Sequence, residues 1–285
     1  MNEEQFVQHL KNIFPAGDGC VLGIGDDCAA IEIPGAEKYL LCAVDQVVED
    51  IHYLSGTPIE KIAGKLVRRN ISDIAAMGGT PAYAMLSMAL SCRDEILEFH
   101  ESVRRECEKY SIRVIGGDVS GMKNSGAVYS LSILGFVEKD RMKTRSGAVC
   151  GDALFACGCF GRSFSTGWHL DFEPLLREGQ LLGKEPEVHA MMDVSDGLLK
   201  DAGRMAESSG LAFRLDQNAI PRRDNADPEE ALCDGEDYAL LFAAPESFVS
   251  PVPAVKIGTF LSGTPGSLSE NFTFIKKGFD HLDDE

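Results

Sequence analysis

Carboxylates recur at five places in this chain of 285 residues, three of them beside glycines. These are Gly23-Ile24-Gly25-Asp26-Asp27; Asp45, followed by Glu49, Asp50 and His52; Asn70-Ile71-Ser72-Asp73; Gly116-Gly117-Asp118; and Asp193-Val194-Ser195-Asp196-Gly197. Taken singly, each reads as a turn or a cap, because Gly-Asp pairs make ordinary turns and Asp or Ser before a helix is an ordinary N-cap. Asp73 departs from that reading. It stands on a helical segment among Ile71, Ile74, Ala75, Ala76 and Met77, so it is expected to be at least partly buried, and a buried carboxylate needs a cation or several donors. As a set, the five runs fit hard-cation chemistry. Mg²⁺ takes oxygen ligands and binds through one or two carboxylates together with substrate phosphates. Glycines beside the carboxylates let backbone N–H groups approach phosphate oxygens. The expected chemistry is phosphoryl transfer from ATP, assisted by several Mg²⁺ ions.

Other phosphate-binding designs are excluded by pattern. No Gly-x-x-x-x-Gly-Lys-[Ser/Thr] loop occurs. The acidic and glycine positions of Asp193 to Gly197 fall out of phase with a calcium-binding EF-hand loop. The Gly-rich loop, strand Lys and His-Arg-Asp loop of protein kinases are missing together. A formal net charge of −18 repels nucleic acid and anionic membranes, which bind through clustered Lys and Arg. No apolar run approaches the roughly 20 residues that span a bilayer, and the acidic start Met1-Asn2-Glu3-Glu4 is unlike a secretory signal. Nine cysteines at irregular spacing point to a reducing compartment, and the expected location is cytoplasmic. Cys157-Gly158-Cys159 lies in an apolar run and reads as strand packing rather than a zinc site.

The elements that must position these runs alternate along the chain. Residues 3–14 read as an amphipathic helix with Phe6, Leu10, Ile13 and Phe14 on one side. Tyr39 to Val44 reads as a buried strand that ends at Asp45. Thr57-Pro58-Ile59-Glu60 predicts a helix start with Thr57 as N-cap, and the helix runs to Gly78-Gly79. Strands are expected at Pro81–Leu90, Arg113–Ile115 and Ala127–Val137, with a helix over 94–110 between the first two. After turn signals at residues 145–151, strands are expected at 153–159, 190–194, 212–215, 238–243, 255–259 and 272–275, and helices at 172–183 and 197–209. The fold class is α/β, with an α+β N-terminal half (residues 1–147) and an α/β C-terminal half (residues 148–285).

These runs, in this order, resemble those of the thiamine-monophosphate kinase family. The matching blocks are Gly23–Cys28, Asp45 with Val48–His52, Asn70–Gly78, Gly116–Asp118, Arg145–Ala148, Asp193–Leu198, Gly235–Tyr238 and Gly278–His281, so they cover nearly the whole chain. The resemblance implies the fold of the aminoimidazole-ribonucleotide synthetase superfamily, in which the N-terminal half pairs across a homodimer and the C-terminal half closes over the nucleotide. It implies direct transfer from ATP to thiamine monophosphate. By position it implies Mg²⁺ at Asp27, Asp45, Asp73, Asp118, Asp193 and Asp196, ATP contacts at Gly117, Asp118, Arg145 and Ser195, and acceptor contacts at His52, Glu236 and Phe279. No side chain is expected to act as a covalent or proton-transferring catalyst, because the attacking phosphate oxygen is already ionised and the work is positioning.

The chain departs from the family pattern in several places. Ala43 and Val44 stand where hydroxyl residues are usual, Asp50 and Asp234 where glycine is usual, and the stretch from Gly161 to Glu187 is short. Another small-molecule acceptor, or a silent nucleotide sensor on the same fold, are the alternative readings.

Overall fold

The computed structural model describes residues 3–92, 95–123 and 125–269, and its frame is two sheets with one long helix between them. The first sheet contains β1 (Cys20–Leu22), β2 (Ala29–Glu32), β3 (Lys38–Val48), β4 (Thr80–Leu90), β5 (Arg113–Gly121) and β6 (Ala127–Glu138), in the order β1-β2-β3-β6-β4-β5. Its pairings are antiparallel except β4 with β5. β6 alternates as its sequence predicts. Tyr129, Leu131, Ile133 and Val137 are buried while their neighbours are half-exposed, because successive side chains leave opposite faces of a strand. The buried face packs on α2 (Ile59–Ala76) and α3 (Ile96–Lys109). The Phe99 ring stacks on Tyr129 at 3.9 Å.

The second sheet contains β7 (Ala153–Cys157), β8 (Ala190–Asp193), β9 (Ala212–Leu215), β10 (Leu240–Ala244) and β11 (Val255–Leu261), in the order β8-β10-β7-β11-β9, and its pairs are antiparallel. β7, β8 and β10 are buried along their whole length. One face packs on α6 (Leu198–Ser208) through Leu198, Ala202 and Met205. The other packs on α5 (Leu176–Gly183) through Leu182, and it also reaches Ala76 of α2. Thus α2, buried over nearly all its 18 residues, is shared by both sheets. The remaining helices are α1 (Glu3–Ile13), α4 (Trp168–Asp171) and α7 (Pro228–Cys233).

Several expectations change in detail. β3 does not stop before Asp45: the ladder with β6 continues to Val48↔Val128, so Asp45 is mid-strand opposite Leu131. β5 likewise runs through Gly116-Gly117-Asp118, paired with β4. Only glycine fits at 117, since a Cβ there would meet the Leu86 carbonyl oxygen at 1.7 Å. Thr57 does not cap α2; its hydroxyl donates to the Leu54 carbonyl at 2.7 Å, and Pro58 takes the N-cap position. The helix expected over 172–183 starts only at Leu176, because Pro174 lacks an N–H and biases Glu173 away from helical geometry. Cys157 is buried in β7, whereas Cys159 lies beyond the strand and is exposed. The sequence pattern gives no expectation of the hairpin β1–β2 or of the short helices α4 and α7. The strand expected at 272–275 and the acceptor contact Phe279 lie outside the described residues.

Candidate active site

The buried helix α2 carries Lys65, Arg69 and Asp73 at four-residue spacing, which places them on one helix face. A carboxylate oxygen of Asp73 lies within 4.8 Å of one from Asp27 and one from Asp193. Asp27 comes from the loop between β1 and β2, and Asp193 is the last residue of β8. One cluster therefore joins a loop of the first sheet, the central helix and a strand end of the second sheet. Ser72 Oγ donates to Asp193 Oδ2 at 2.5 Å. Arg145 donates to Asp27 Oδ1 from Nη2 at 2.6 Å and from Nε at 3.1 Å. Asp27 Oδ2 is buried and, among the described residues, has no hydrogen-bond partner.

The electrostatics follow from that crowding. Burial, and then the charges of neighbouring carboxylates, hold the Asp73 and Asp193 carboxyls well above the usual carboxylate range. For Asp73 those neighbours are Asp45, Asp193 and Asp27; for Asp193 the first is Asp27. Asp26 is pushed up to about 7, by burial first and by Asp27 second. Two like charges at this separation repel by on the order of 3 kcal/mol at an effective dielectric near 20. Three such pairs exceed what one guanidinium can offset. A divalent cation held by oxygen ligands fits this donor set, and the unpartnered Asp27 oxygen is a ready ligand.

A cavity of about 860 Å³ opens onto the cluster and is also lined by Asp45, Arg145, Ser195 and Asp196. Asp45 Oδ2 accepts from Arg69 Nε at 2.7 Å. Asp196 is buried and accepts from Arg204 Nη1 at 2.6 Å. The Ser195 N–H donates to Asp201 Oδ2 at 3.0 Å. From α1, Gln5, Gln8 and Lys11 close one side, with the Lys11 ammonium directly over Gly25, where a Cβ would meet its Nζ at 2.3 Å.

A second cavity of about 380 Å³ contains His52 and Glu236, with Ile51, Phe164 and Tyr238 as its apolar wall. Val48 N–H donates to His52 Nδ1 at 3.1 Å, which fixes the ring. Glu236 adopts φ +62°, a left-handed conformation uncommon for a non-glycine residue and frequent at functional sites. The two cavities share Arg69, Ser195, Asp196 and Tyr238 as lining.

The structure thus gathers Asp27, Asp73 and Asp193 into one cluster, and puts Asp45, Asp196, Arg145 and Ser195 on the same cavity. It does not bring in Gly117 and Asp118. The register Asp45↔Leu131↔Leu86↔Gly117 sets β5 three strand spacings from β3, about 14 Å at the usual 4.8 Å per step. Sequence reasoning passed over Lys65, Arg69 and Arg204. For Lys65 and Arg69 the available signal was charge repeating at four-residue intervals with Asp73 along α2; Arg204 lies on α6. Among the departures, Asp50 sits at φ +63°, which explains why glycine is expected there and why Asp, tolerant of that region, replaces it. Val44 is 64% exposed and lines the larger cavity, so the missing hydroxyl leaves an apolar rim. Asp234 accepts from the Arg162 N–H at 2.9 Å on the wall of the smaller cavity.

Comparison with known proteins agrees with this arrangement. Residues 25–137 match the family model of the AIR synthase related protein N-terminal domain, and residues 162–252 that of its C-terminal domain. The chain is 32% identical to the thiamine-monophosphate kinase of Rhodopirellula baltica over 289 aligned residues, covering 92% of this chain and 90% of the relative. It is 33% identical to the Escherichia coli K12 thiamine-monophosphate kinase, covering 79% and 77%. Among solved structures, AaThiL complexed with AMPPCP and TMP superposes with a TM-score of 0.86 at 27% identity, covering 99% of this chain and 97% of that one. The Aquifex aeolicus thiamine monophosphate kinase gives 0.78 at 26% identity, covering 92% and 96%.

Proposed function

The chain belongs to the thiamine-monophosphate kinase family, and from that premise we propose how its residues divide the work of moving a phosphoryl group from ATP to thiamine monophosphate. The products are ADP and thiamine diphosphate. The observation that carries the reading is the pair of cavities with a common wall. The larger one, with the carboxylate cluster and Arg145, takes the polyphosphate of ATP. The smaller one, part apolar and bearing Glu236, takes the thiamine moiety, whose thiazolium is cationic and whose rings are flat. Arg69, Ser195, Asp196 and Tyr238 then stand where the two phosphates meet.

Asp27, Asp73 and Asp193 would hold Mg²⁺, with Asp45 and Asp196 at the margin of the same cavity. Bound there, magnesium supplies charge neutralisation between two polyanions that must approach in line. The protein's own part is orientation. Arg145 and Arg204 bring positive charge to the polyphosphate, and Asp201 holds the loop beside it by accepting from the Ser195 and Asp196 N–H groups. No base is needed to activate the acceptor, whose phosphate oxygen is ionised at neutral pH, so His52 serves as a contact for the acceptor and not as a proton carrier.

Residues 1–147 form the half that binds ATP and Mg²⁺ and dimerises, and residues 148–285 the half that closes over the nucleotide. Homodimerisation is supported by β5. All nine residues of this edge strand are exposed, among them Val114, Ile115 and Val119, and a long exposed edge with apolar side chains is a pairing template. Asp118, on this same strand, reaches a metal only if a second copy is seated there. The test of the whole reading is direct: incubate the purified protein with ATP and thiamine monophosphate and resolve the products by chromatography. Thiamine diphosphate and ADP in equal amounts, formed only with Mg²⁺, are expected. Nucleotide binding without either product would reduce the chain to a silent sensor.

A further inference from the structure

Lys65 heads the large side chains that are fully buried, with 0% exposure, and the transfer described above makes no use of it. A lysine is almost never fully buried unless it is paired. Its partners explain what it does. Lys65 Nζ donates to the His52 carbonyl oxygen at 2.5 Å and lies 2.7 Å from both carboxylate oxygens of Glu236. His52 follows β3 of the first sheet; Glu236 precedes β10 of the second. A single ammonium on the central helix therefore ties together two of the segments that line the smaller cavity. The Glu236 side chain remains 20% exposed, toward that cavity, and its left-handed backbone needs outside contacts to persist.

We infer that Lys65 is a positioning residue for the acceptor: it fixes the orientation of Glu236 and the distance between the Glu236 and His52 segments, and so sets acceptor affinity without touching nucleotide. This rests on the reading of the smaller cavity as the acceptor's. Desolvation lowers the Lys65 ammonium to about 8 and Glu236 opposes that fall, so Lys65 is predominantly ionised at neutral pH, as the geometry requires. The neighbouring His52 ring is held by Val48 and Arg69 is engaged by Asp45, which leaves Lys65 as the ammonium bound to Glu236.

The test compares Lys65→Met, Lys65→Arg, Glu236→Gln and the double variant Lys65→Met/Glu236→Gln in the full-length enzyme, varying thiamine monophosphate and Mg-ATP in turn. Lys65→Met should raise KM for thiamine monophosphate about 10-fold or more, the loss expected for a charged hydrogen bond, with KM for ATP within about twofold. Lys65→Arg, which keeps the charge, should fall between wild type and Lys65→Met. The double variant should be no worse than the poorer single variant, because residues acting through one another are non-additive. Equal rises in both KM values, or a lowered melting temperature with neither KM changed, would overturn the inference. Should Lys65→Met not fold, Lys65→Arg decides: a raised acceptor KM with ATP unaffected supports it, and an unchanged acceptor KM overturns it. If Glu236→Gln leaves the acceptor KM untouched, the acceptor reading of the cavity falls with it. If Glu236→Gln raises that KM and Lys65→Met does not, only the role of Lys65 is lost.

Discussion

Asp73 and Asp118 look alike as sequence, each an aspartate near small residues in a segment that pairs or packs with the first sheet, yet they occupy opposite environments. Asp73 faces two other carboxylates where burial and mutual repulsion raise its affinity for protons. Asp118 lies on a strand exposed along its whole length, three strands away from Asp45. The first environment favours a bound cation. The second meets a site only under the proposed pairing with a second copy. A carboxylate's type says little until its neighbours are known: one of these faces like charges, the other lies open on a sheet edge.

The largest expected effect comes from the cluster. Asp193→Asn should lower kcat by about 10³-fold while the far-UV circular dichroism is unchanged, a loss on the scale of removing a key transition-state contact. A substitution that kept even a tenth of wild-type turnover would show that Asp193 holds no metal. Asp118→Asn should also abolish turnover with the fold intact, and mixing sharpens the comparison. If Asp118 serves the site of a second copy, then Asp118→Asn and Asp193→Asn, each inactive alone, recover about a quarter of wild-type activity when subunits exchange at random into dimers. No recovery places Asp118 in the site of its own chain.

Smaller effects follow from charge and exposure. Val119→Lys on β5 should shift the protein from dimer to monomer by light scattering at micromolar concentration, since edge lysines block pairing; a persistent dimer would move the interface elsewhere. Without Mg²⁺, Asp73 and Asp193 bind protons more tightly in the folded than in the unfolded chain. The native state then holds more protons, so stability falls as pH rises above the ordinary carboxylate value of 3.8. Mg²⁺ needs these groups ionised, so the rise in melting temperature that it confers should be larger at pH 8 than at pH 6. A shift independent of pH would separate the ion from the cluster. The smallest effect is a control. Asp227 also precedes a helix, but it caps α7 by accepting from the Glu230 N–H, and Glu230 reciprocates to the Asp227 N–H. Asp227→Ala should cost about 1 kcal/mol of stability and leave kcat unchanged in the same assay.

Asp227 and Asp193 also mark how far the sequence could be read. Asp227 stands directly before α7 and Asp193 ends β8 shortly before α6, and local pattern reads acidic residues ahead of a helix as caps. The reciprocal Asp-Pro-Glu-Glu signal of Asp227 was written in neighbouring residues, although it was passed over. What separates Asp193 is its approach to Asp27 and Asp73, residues far away in the chain, and that became legible only as an ordered set of motifs. Strand periodicity placed β6 and β9 well. It stopped β3 and β5 too early, because Asp45 and Gly116-Gly117-Asp118 are strand-breaking types whose extension is imposed by the partners β6 and β4. Lys65 and Arg69 were hidden for a related reason: on a helix, a charge reads as a solvated face, and only packing on both sheets buries this one.

The central claim is that the Asp27, Asp73 and Asp193 carboxylates hold the magnesium on which thiamine monophosphate phosphorylation depends. It is tested most directly by measuring thiamine diphosphate formation against Mg²⁺ concentration for wild type and Asp73→Asn, at saturating ATP and acceptor. A midpoint displaced at least about 10-fold to higher Mg²⁺ in Asp73→Asn, the loss typical of a damaged metal site, or turnover lost altogether, is the predicted result. Coincident Mg²⁺ curves with unchanged turnover would contradict it.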